Sequence, residues 1–237
     1  MTRHFAAPRA PEKNQPGDQL GIIGFCGAPF TLASYMIEGG SLRNYIETKK
    51  LMYASGAPES ASRNADAAAW PLLTAKLVEV LTAFAAQQVQ AGADVIQVFD
   101  SWAGALSVED YRAFCLEPTK ELIANIRAMG VPVIYFGVDT ASLLPAMRET
   151  NADVLGLDWR TPIDEGWRSI GHGTAIQGNL DPIALFAPDN VLRARVETIL
   201  KQAAGRPGHI FNLGHGIVPG TPVENVLKVV QWVKELG

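Results

Sequence analysis

Short apolar runs alternate with longer amphipathic segments along most of this chain. Six runs rich in β-branched and aromatic residues each end at or just before a glycine or polar residue, a pattern typical of buried strands. These runs occupy residues 20–25, 94–100, 132–137, 153–158, 174–179 and 209–214. The segments between them have helical composition and periodicity. Three glycines stand where helix C-caps would precede strands: Gly92, Gly130 and Gly171. The pattern predicts a repeated β/α unit.

Near-continuous apolar strands that alternate with helices predict a parallel sheet, either doubly wound or closed as a TIM barrel. Polar or reactive side chains follow nearly every predicted strand: Cys26, Asp100, Asp158, Asn179 and His215. A barrel gathers the carboxyl ends of all its strands at one mouth, whereas an open sheet uses only its switch point. The sequence therefore favours an α/β fold of the TIM (β/α)8 type.

The strand count limits how much of a barrel this chain contains. A TIM barrel has eight β/α units, and the chain supplies about six. We therefore predict a partial barrel domain over residues 20–237 with two unpaired sheet edges. Residues 1–19 hold three prolines among charged and small residues and are predicted to form a flexible tail. Residues 54–69 are small and polar, and we predict a surface insertion there before a helix that begins near Trp70.

Composition narrows the classes of partner. The formal net charge is −4 and the sequence pI is near 5.6, so no global basic footprint for nucleic acid exists. No secretory signal and no apolar stretch of membrane-spanning length is found by inspection, which predicts a soluble cytoplasmic protein without membrane contact. The two cysteines and the histidines have no metal-binding spacing, so we predict no metal site.

Two predicted strand ends in the first half of the chain carry candidate chemistry. Tyr35 lies on the first turns of a helix predicted to start near Thr31, where its phenol either packs in the core or donates at the mouth. Asp100, Ser101 and Trp102 lie where a strand gives way to its loop, a place that favours catalysis or binding over packing. Asp100 is equally suited to capping the next turn and to a direct role. Ser101 lacks the context of a hydrolase nucleophile and is better suited to donating to an anion.

Later strand ends carry a second set of candidates. Asp158 and Asp181 are predicted to pin their loops through hydrogen bonds to backbone. Arg160 is the only strongly basic residue close to a predicted strand end. His215 stands between two glycines and has few covering neighbours, so it is the best single functional candidate on spacing.

Five segments together resemble the uroporphyrinogen decarboxylase family. They are GFCGAPFTLASYMIEGG, QVFDSWAG, GLDWR, QGNLDP and NLGHGIVPGTP, in this order and at these separations. The resemblance implies a TIM barrel that removes the acetate carboxyl groups of uroporphyrinogen III to give coproporphyrinogen III in haem biosynthesis. It also implies a carboxy-lyase without cofactor or metal, and a homodimer. By motif, the residues that line the substrate cavity are Tyr35, Phe99, Ser101 and His215.

Two motifs of that family are not found in this sequence. The family's RQAGRY segment contributes arginines that bind substrate carboxylates, and an aspartate in a segment resembling FSDI holds the pyrrole NH groups. Both would belong to the two strands missing from the count. Because a substrate with many carboxylates needs positive charge at the mouth, we predict weak or no decarboxylase activity for the chain as given.

Two other functions are weighed against decarboxylation. Corrinoid and methyl-transfer enzymes of the same superfamily use zinc held by histidine and cysteines, whereas the strand at 132–137 ends without either residue. The second alternative is a non-catalytic member that binds a tetrapyrrole or a partner subunit. Porphyrinogen binding without release of CO2 distinguishes that alternative from the enzyme.

Overall fold

A computed structural model of the chain describes residues 21–39, 44–56 and 66–237. Six strands form one sheet: β1 Ile23–Gly27, β2 Val95–Asp100, β3 Val133–Gly137, β4 Val154–Gly156, β5 Ala175–Gln177 and β6 His209–Ile210. They pair in parallel and strictly in chain order. Each strand overlaps one of the six predicted runs, so the predicted six β/α units of a TIM-type barrel are confirmed.

Every connection between consecutive strands contains at least one helix. The helices are α1 Pro29–Glu38, α2 Ile46–Ser55, α3 Asp66–Gln90, α4 Val108–Asp110, α5 Leu116–Arg127, α6 Leu144–Arg148, α7 Ile163–Ile170, α8 Asp189–Ala203 and α9 Val223–Leu236. A π-helical turn, Tyr111–Cys115, joins α4 to α5. Short 3-10 turns occupy Ala103–Ala105, Ala141–Leu143 and Pro182–Phe186.

Proline and glycine define several helix ends. Pro29 is the first residue of α1, where its fixed φ suits a helix and its missing N–H is no loss. Gly92, Gly130 and Gly171 have φ values of 103°, 82° and 79°. These left-handed conformations are open to glycine without a Cβ penalty, which confirms the predicted helix ends.

The two faces of the sheet are covered unequally. The outer face packs under the helices, and its side chains are almost fully buried: Ile96, Val98, Val133, Tyr135, Leu155 and Ile176. The inner face is also buried along the central strands, at Gln97, Ile134, Phe136 and Gln177. The sheet is therefore curled enough to bury the middle of its concave face.

Apolar inner-face residues are exposed on both edge strands. Phe25 of β1 pairs in register with Gln97 of β2, so it points to the same concave side. Phe25 is 61% exposed, Ile23 is 51% exposed and Ile210 of β6 is 42% exposed. A closed barrel would cover these side chains, and six strands leave the space of two between β1 and β6.

A helix side chain covers part of the β1 edge. The Gln88 amide nitrogen of α3 donates to the carbonyl of Phe25 at 3.0 Å, and its oxygen accepts from the Phe25 N–H at 2.8 Å. These two bonds satisfy the backbone N–H and carbonyl groups of Phe25, which a neighbouring strand would otherwise pair. Such covering reduces the tendency of an exposed edge to pair with another chain.

The boundaries of the predicted 54–69 insertion need correction. Helix α2 continues through Ser55, and α3 already begins at Asp66 rather than near Trp70. The alanines before Trp70 have high helix propensity but do not alternate with polar residues. The periodicity of apolar positions therefore did not reveal the first turn of α3. Residues 57–65, like the predicted tail at 1–19, lie outside the described residues.

Helix α3 also corrects the expectation about membrane-length stretches. Within the described parts of the chain, Ala68–Gln90 is the one helix long and apolar enough to cross a membrane. Its buried side packs into the hydrophobic core through Trp70, Leu77, Val78, Leu81 and Ala85. We therefore interpret α3 as a core helix of the barrel.

The exposed inner face predicts self-association. Replacing Phe25 with Ser removes the most exposed aromatic ring of this face, so we expect weaker association in light scattering and less binding of a hydrophobic dye. Phe186→Ser is the matched control, because Phe186 is 46% exposed but lies in the 3-10 turn after β5 and not on an edge strand. Equal effects of the two substitutions would contradict the prediction.

Candidate functional site at the carboxyl ends of the strands

The loops after the strands contact one another around the mouth. Gly104 packs against the backbone carbonyls of Val138 and Asp139, where any side chain would collide. The Asp139 N–H donates to the Asp158 carboxylate at 2.8 Å. Gly214 in turn packs against the backbone of Trp159. Glycine is needed at both positions because the loops approach so closely.

Three aromatic side chains, Tyr35, Tyr45 and Trp102, form what we call the aromatic wall. The Tyr35 and Trp102 ring centroids are 4.3 Å apart, and those of Tyr45 and Trp102 are 5.0 Å apart. Tyr35 remains about half exposed. Tyr45 precedes α2 with a φ of 49°, an unusual left-handed conformation for a tyrosine. Burial, reinforced by the neighbouring Tyr35, raises the pKa of Tyr45 to about 12.

Phe99 and Ser101 lie next to this wall at the end of β2. Phe99 is half-buried on the inner face, with ring centroids 6.1 Å from Phe25 and 5.8 Å from Phe136. Ser101 is half-buried in the turn that leads directly to Trp102. The structure thus brings three predicted site residues, Tyr35, Phe99 and Ser101, onto adjoining elements.

Asp100 occupies the opposite face of the same strand end. Its side chain is fully buried; one carboxylate oxygen accepts from the Thr31 hydroxyl and the other from the Tyr135 hydroxyl, both at 2.7 Å. Burial raises the pKa of Asp100, although both hydrogen bonds oppose the rise. Asp100 was predicted either to cap the next turn or to act directly at the site. The structure shows neither arrangement, because the carboxylate lies on the outer face of the sheet and faces away from the mouth.

Asp158 pins its loop as predicted. It is buried and accepts from the N–H groups of Asp139 at 2.8 Å and Arg160 at 3.1 Å. The Arg160 guanidinium donates to the same carboxylate at 2.6 Å and lies over the Trp159 ring at 4.1 Å. The positive charge of Arg160 is therefore already paired. Asp181 likewise accepts from the Ile183 N–H at 2.9 Å at the start of its 3-10 turn.

His215 lies in the second half of the mouth rather than beside the aromatic wall. It is exposed, as its flanking glycines predicted, and its ring centroid is 6.2 Å from that of Trp159 in an edge-on arrangement. The structure therefore places the four predicted site residues in two groups. His215 is separate from Tyr35, Phe99 and Ser101.

The described residues form no cluster of side chains that could bind a metal ion. No three histidine, cysteine or acidic side chains converge among them in a way that could hold an ion. Cys26 and Cys115 are buried free thiols, and burial raises the pKa of Cys26 to about 12. A zinc thiolate site of the methyl-transfer type would need deprotonated, accessible cysteines.

Comparison with known proteins identifies the family. Residues 12–236 match the family model for uroporphyrinogen decarboxylase. The chain belongs to the uroporphyrinogen decarboxylase family. The resemblance carried by the five sequence segments is thereby confirmed.

Several curated members of the uroporphyrinogen decarboxylase family are similar to most of this chain. The uroporphyrinogen decarboxylase of Koribacter versatilis is 60% identical over 220 residues, which cover 92% of this chain and 60% of that protein. The one from Solibacter usitatus is 52% identical, with 90% of this chain and 59% of that protein covered. The chain thus spans about 60% of the length of these relatives.

A solved structure supports the fold assignment of this decarboxylase-family chain. A methyltransferase from Methanosarcina mazei superposes with a TM-score of 0.71 at 22% identity, and the match covers 92% of this chain and 60% of that one. At this identity the similarity establishes the barrel fold and no more.

Several side chains of the mouth were not singled out from the sequence. Tyr45 completes the aromatic wall beside Trp102, and Tyr135 holds Asp100. Trp102 itself was predicted at the strand end together with Ser101. Tyr45 carries no local signal, because its contact with Trp102 depends on tertiary packing.

Asp100 predicts a specific pH dependence of stability. Because its pKa is raised in the folded chain, the native state binds this proton more tightly than the unfolded state does. That stabilisation is complete below the unfolded pKa and is lost as the pH rises through the folded pKa. We therefore expect Asp100→Asn to be less destabilising near pH ~7 than near pH ~4, measured by urea unfolding.

Asp181→Asn serves as the comparison for this experiment, because Asp181 is a surface turn carboxylate. A stability difference between Asp100→Asn and the unaltered chain that does not change between the two pH values would contradict the assignment.

Proposed function

We propose that this chain forms the greater part of a uroporphyrinogen decarboxylase, which removes the acetate carboxyl groups of uroporphyrinogen III without a cofactor. The observation that carries the proposal is the mouth itself. Tyr35, Phe99 and Ser101 lie together at strand carboxyl ends, beside Trp102. Active sites of TIM barrels lie at this end. The 60% identity to the Koribacter enzyme supports the choice of substrate.

The proposed reaction needs orientation and electrostatic stabilisation rather than a strong nucleophile. Protonation of a pyrrole ring carbon creates a cationic electron sink, the acetate carbon–carbon bond then breaks toward the ring, and CO2 leaves. The exocyclic carbon then takes up a proton to become a methyl group, and the ring carbon releases the proton it had gained, which restores the aromatic pyrrole. An enzyme accelerates such steps by fixing the ring and by complementing the charge that develops.

The side chains of the mouth suit these tasks. The Phe99 ring and the aromatic wall offer apolar faces against which a pyrrole ring packs. The Tyr35 phenol and the Ser101 hydroxyl are donors for substrate carboxylates. His215 is exposed in the other half of the mouth and adds a hydrogen-bonding imidazole there.

Few cations lie near this mouth in the described residues. The Arg160 guanidinium is held by the buried Asp158 at 2.6 Å. Lys49 donates to the Ala105 carbonyl at 2.7 Å, and Arg195 lines the same cavity as Arg160. Binding a substrate with many carboxylates requires several free cations. We therefore propose that full activity needs two further β/α units, which would fill the space between β1 and β6 and supply such cations.

A chimeric protein tests this proposal. The amino-terminal part of the Koribacter relative, joined ahead of residue 21, should give coproporphyrinogen formation well above that of the chain as given. The reason is that the added segment both closes the sheet and contributes the missing charge. Production of coproporphyrinogen is measured by chromatography after oxidation to the fluorescent porphyrin.

Two outcomes would contradict the account. Turnover by the chain as given at the rate of the Koribacter enzyme would show that no further units are needed. A folded, monodisperse chimera without any turnover would count against the proposed reaction.

The role of Tyr35 is tested in the same chimera. Tyr35→Phe removes only the hydroxyl, and we expect turnover to fall by about tenfold or more because a donor to the substrate is lost. Tyr53→Phe is the matched control, since Tyr53 is equally exposed but bonds Asp110 on the outer helices. A similar loss in both variants would exclude a specific role for the Tyr35 phenol.

Pairing of Arg160 with Asp158 favours a second candidate function, tetrapyrrole or partner binding without catalysis. With that cation occupied, the described part of the mouth retains its aromatic surface but little free positive charge. Binding of uroporphyrin by the chain and by the chimera, with no CO2 release from uroporphyrinogen by either, would support this candidate over the enzyme.

The remaining properties that we propose follow from the family. The protein acts in the cytoplasm on a small molecule, without metal or cofactor and without contact to nucleic acid or membrane. As a complete barrel it is proposed to form a homodimer.

A further inference from the structure

Asp100 lies at the centre of a buried chain of hydrogen bonds that the proposed chemistry does not use. The Tyr135 hydroxyl donates to Asp100 at 2.7 Å and lies 3.0 Å from the Tyr111 hydroxyl. On the other side the Thr31 hydroxyl donates to Asp100 at 2.7 Å. The backbone N–H of Trp102 donates to the same Thr31 oxygen at 3.4 Å. The bonds therefore connect the ends of β2 and β3, the π-helical turn and helix α1.

The carboxylate fixes the orientation of the hydroxyl groups in this chain. A carboxylate only accepts, so both hydroxyl groups that contact Asp100 must donate to it. The Thr31 oxygen is then left as the acceptor for the Trp102 N–H, and the Tyr135 oxygen as the acceptor for Tyr111. A neutral or apolar residue in place of Asp100 would leave these orientations undetermined.

The chain ends at the predicted site residues. Thr31 is one helical turn before Tyr35 on α1, and Trp102 follows Ser101 directly. The Tyr35 and Trp102 rings then meet at a centroid distance of 4.3 Å. Because the Thr31 hydroxyl joins both segments to Asp100, α1 and the Ser101 turn cannot shift independently without breaking a buried hydrogen bond.

Burial alone does not favour a carboxylate at this position. Asp100 is fully buried, and its described partners are the hydroxyl groups of Thr31 and Tyr135 and the backbone N–H of Thr31, without a cation. Burial of an ionised carboxylate is unfavourable, and well-packed apolar residues often stabilise such positions more. What the carboxylate adds is a fixed geometry at a strand end that faces the mouth.

We propose that Asp100 is a positioning residue that, through Thr31, holds the Ser101–Trp102 turn against helix α1. In this arrangement Tyr35, Ser101 and Trp102 are presented together to the ligand. The positioning is internal to the chain; only the identity of the ligand rests on the proposed function.

Conservative substitutions at Thr31 test the proposal with little risk to folding. Thr31→Val keeps the shape and removes the hydroxyl, whereas Thr31→Ser keeps the hydroxyl. Asp100→Asn tests the charge itself. Asp158→Asn is the matched control, because Asp158 is a second buried carboxylate at a strand end and bonds a different loop.

The first readout is the near-ultraviolet circular dichroism of Trp102 in the full chain, taken well below the unfolding temperature. The Trp102 contribution is isolated by subtraction of the Trp102→Phe spectrum. We expect Thr31→Val and Asp100→Asn to lose most of this signal and Thr31→Ser and Asp158→Asn to retain it. A merely structural contribution to stability would not separate the variants in this way.

The second readout is the affinity of the same variants, made in the chimera that carries the two further β/α units, for uroporphyrin, a stable planar probe. We expect Thr31→Val to bind about tenfold more weakly than the unaltered chimera and Thr31→Ser to bind nearly as well. An unchanged Trp102 signal in Thr31→Val, or a changed signal with unchanged affinity, would overturn the proposal. Failure of the unaltered chimera to bind uroporphyrin would count against the proposed function, and the Trp102 signal of the full chain would then decide the role of Asp100.

Discussion

Parallel pairing of all six strands in chain order brings their carboxyl ends to a single edge of the sheet. Each loop at that edge contacts the next, from Gly104 against Asp139 to the Gly214 N–H, which donates to the Leu180 carbonyl at 2.7 Å. Side chains that are far apart in sequence, such as Tyr35 and His215, therefore belong to one mouth. The same pairing leaves β1 and β6 as edges, with apolar inner-face residues uncovered between them. Closing the barrel would therefore both cover these apolar residues and complete the site.

Much of the fold could be predicted because its signals are local. The six apolar runs gave the six strands, and three glycines gave helix ends with left-handed φ values. Prediction was wrong where the contrast between apolar and polar positions is weak. The start of α3 at Asp66 lies in a stretch of small residues with no apolar face. That the same helix is long and apolar enough to cross a membrane became apparent only once its full extent was known.

The candidate site was predictable in part. The residue types at strand ends pointed to the mouth, and Asp158 and Asp181 pin their loops as expected. The role of Asp100 could not be predicted, because its partners Thr31 and Tyr135 are 69 and 35 residues away. The same limit applies to the aromatic wall, whose members belong to three separate segments. Side-chain networks of this kind depend on strand register, which residue patterns do not reveal until the pairing is known.

An opening of two strands between β1 and β6 is the central claim of this account. Two absent strands correspond to three spacings of about 4.8 Å, roughly 14 Å, whereas a disulfide requires Cα atoms within about 7 Å. The most direct measurement is oxidation of the Ile23→Cys/Ile210→Cys variant, in which the native Cys26 and Cys115 are buried. The account predicts no intrachain disulfide but efficient bridging by a long bis-maleimide. Rapid disulfide formation would show that the two edges meet, and would contradict the account.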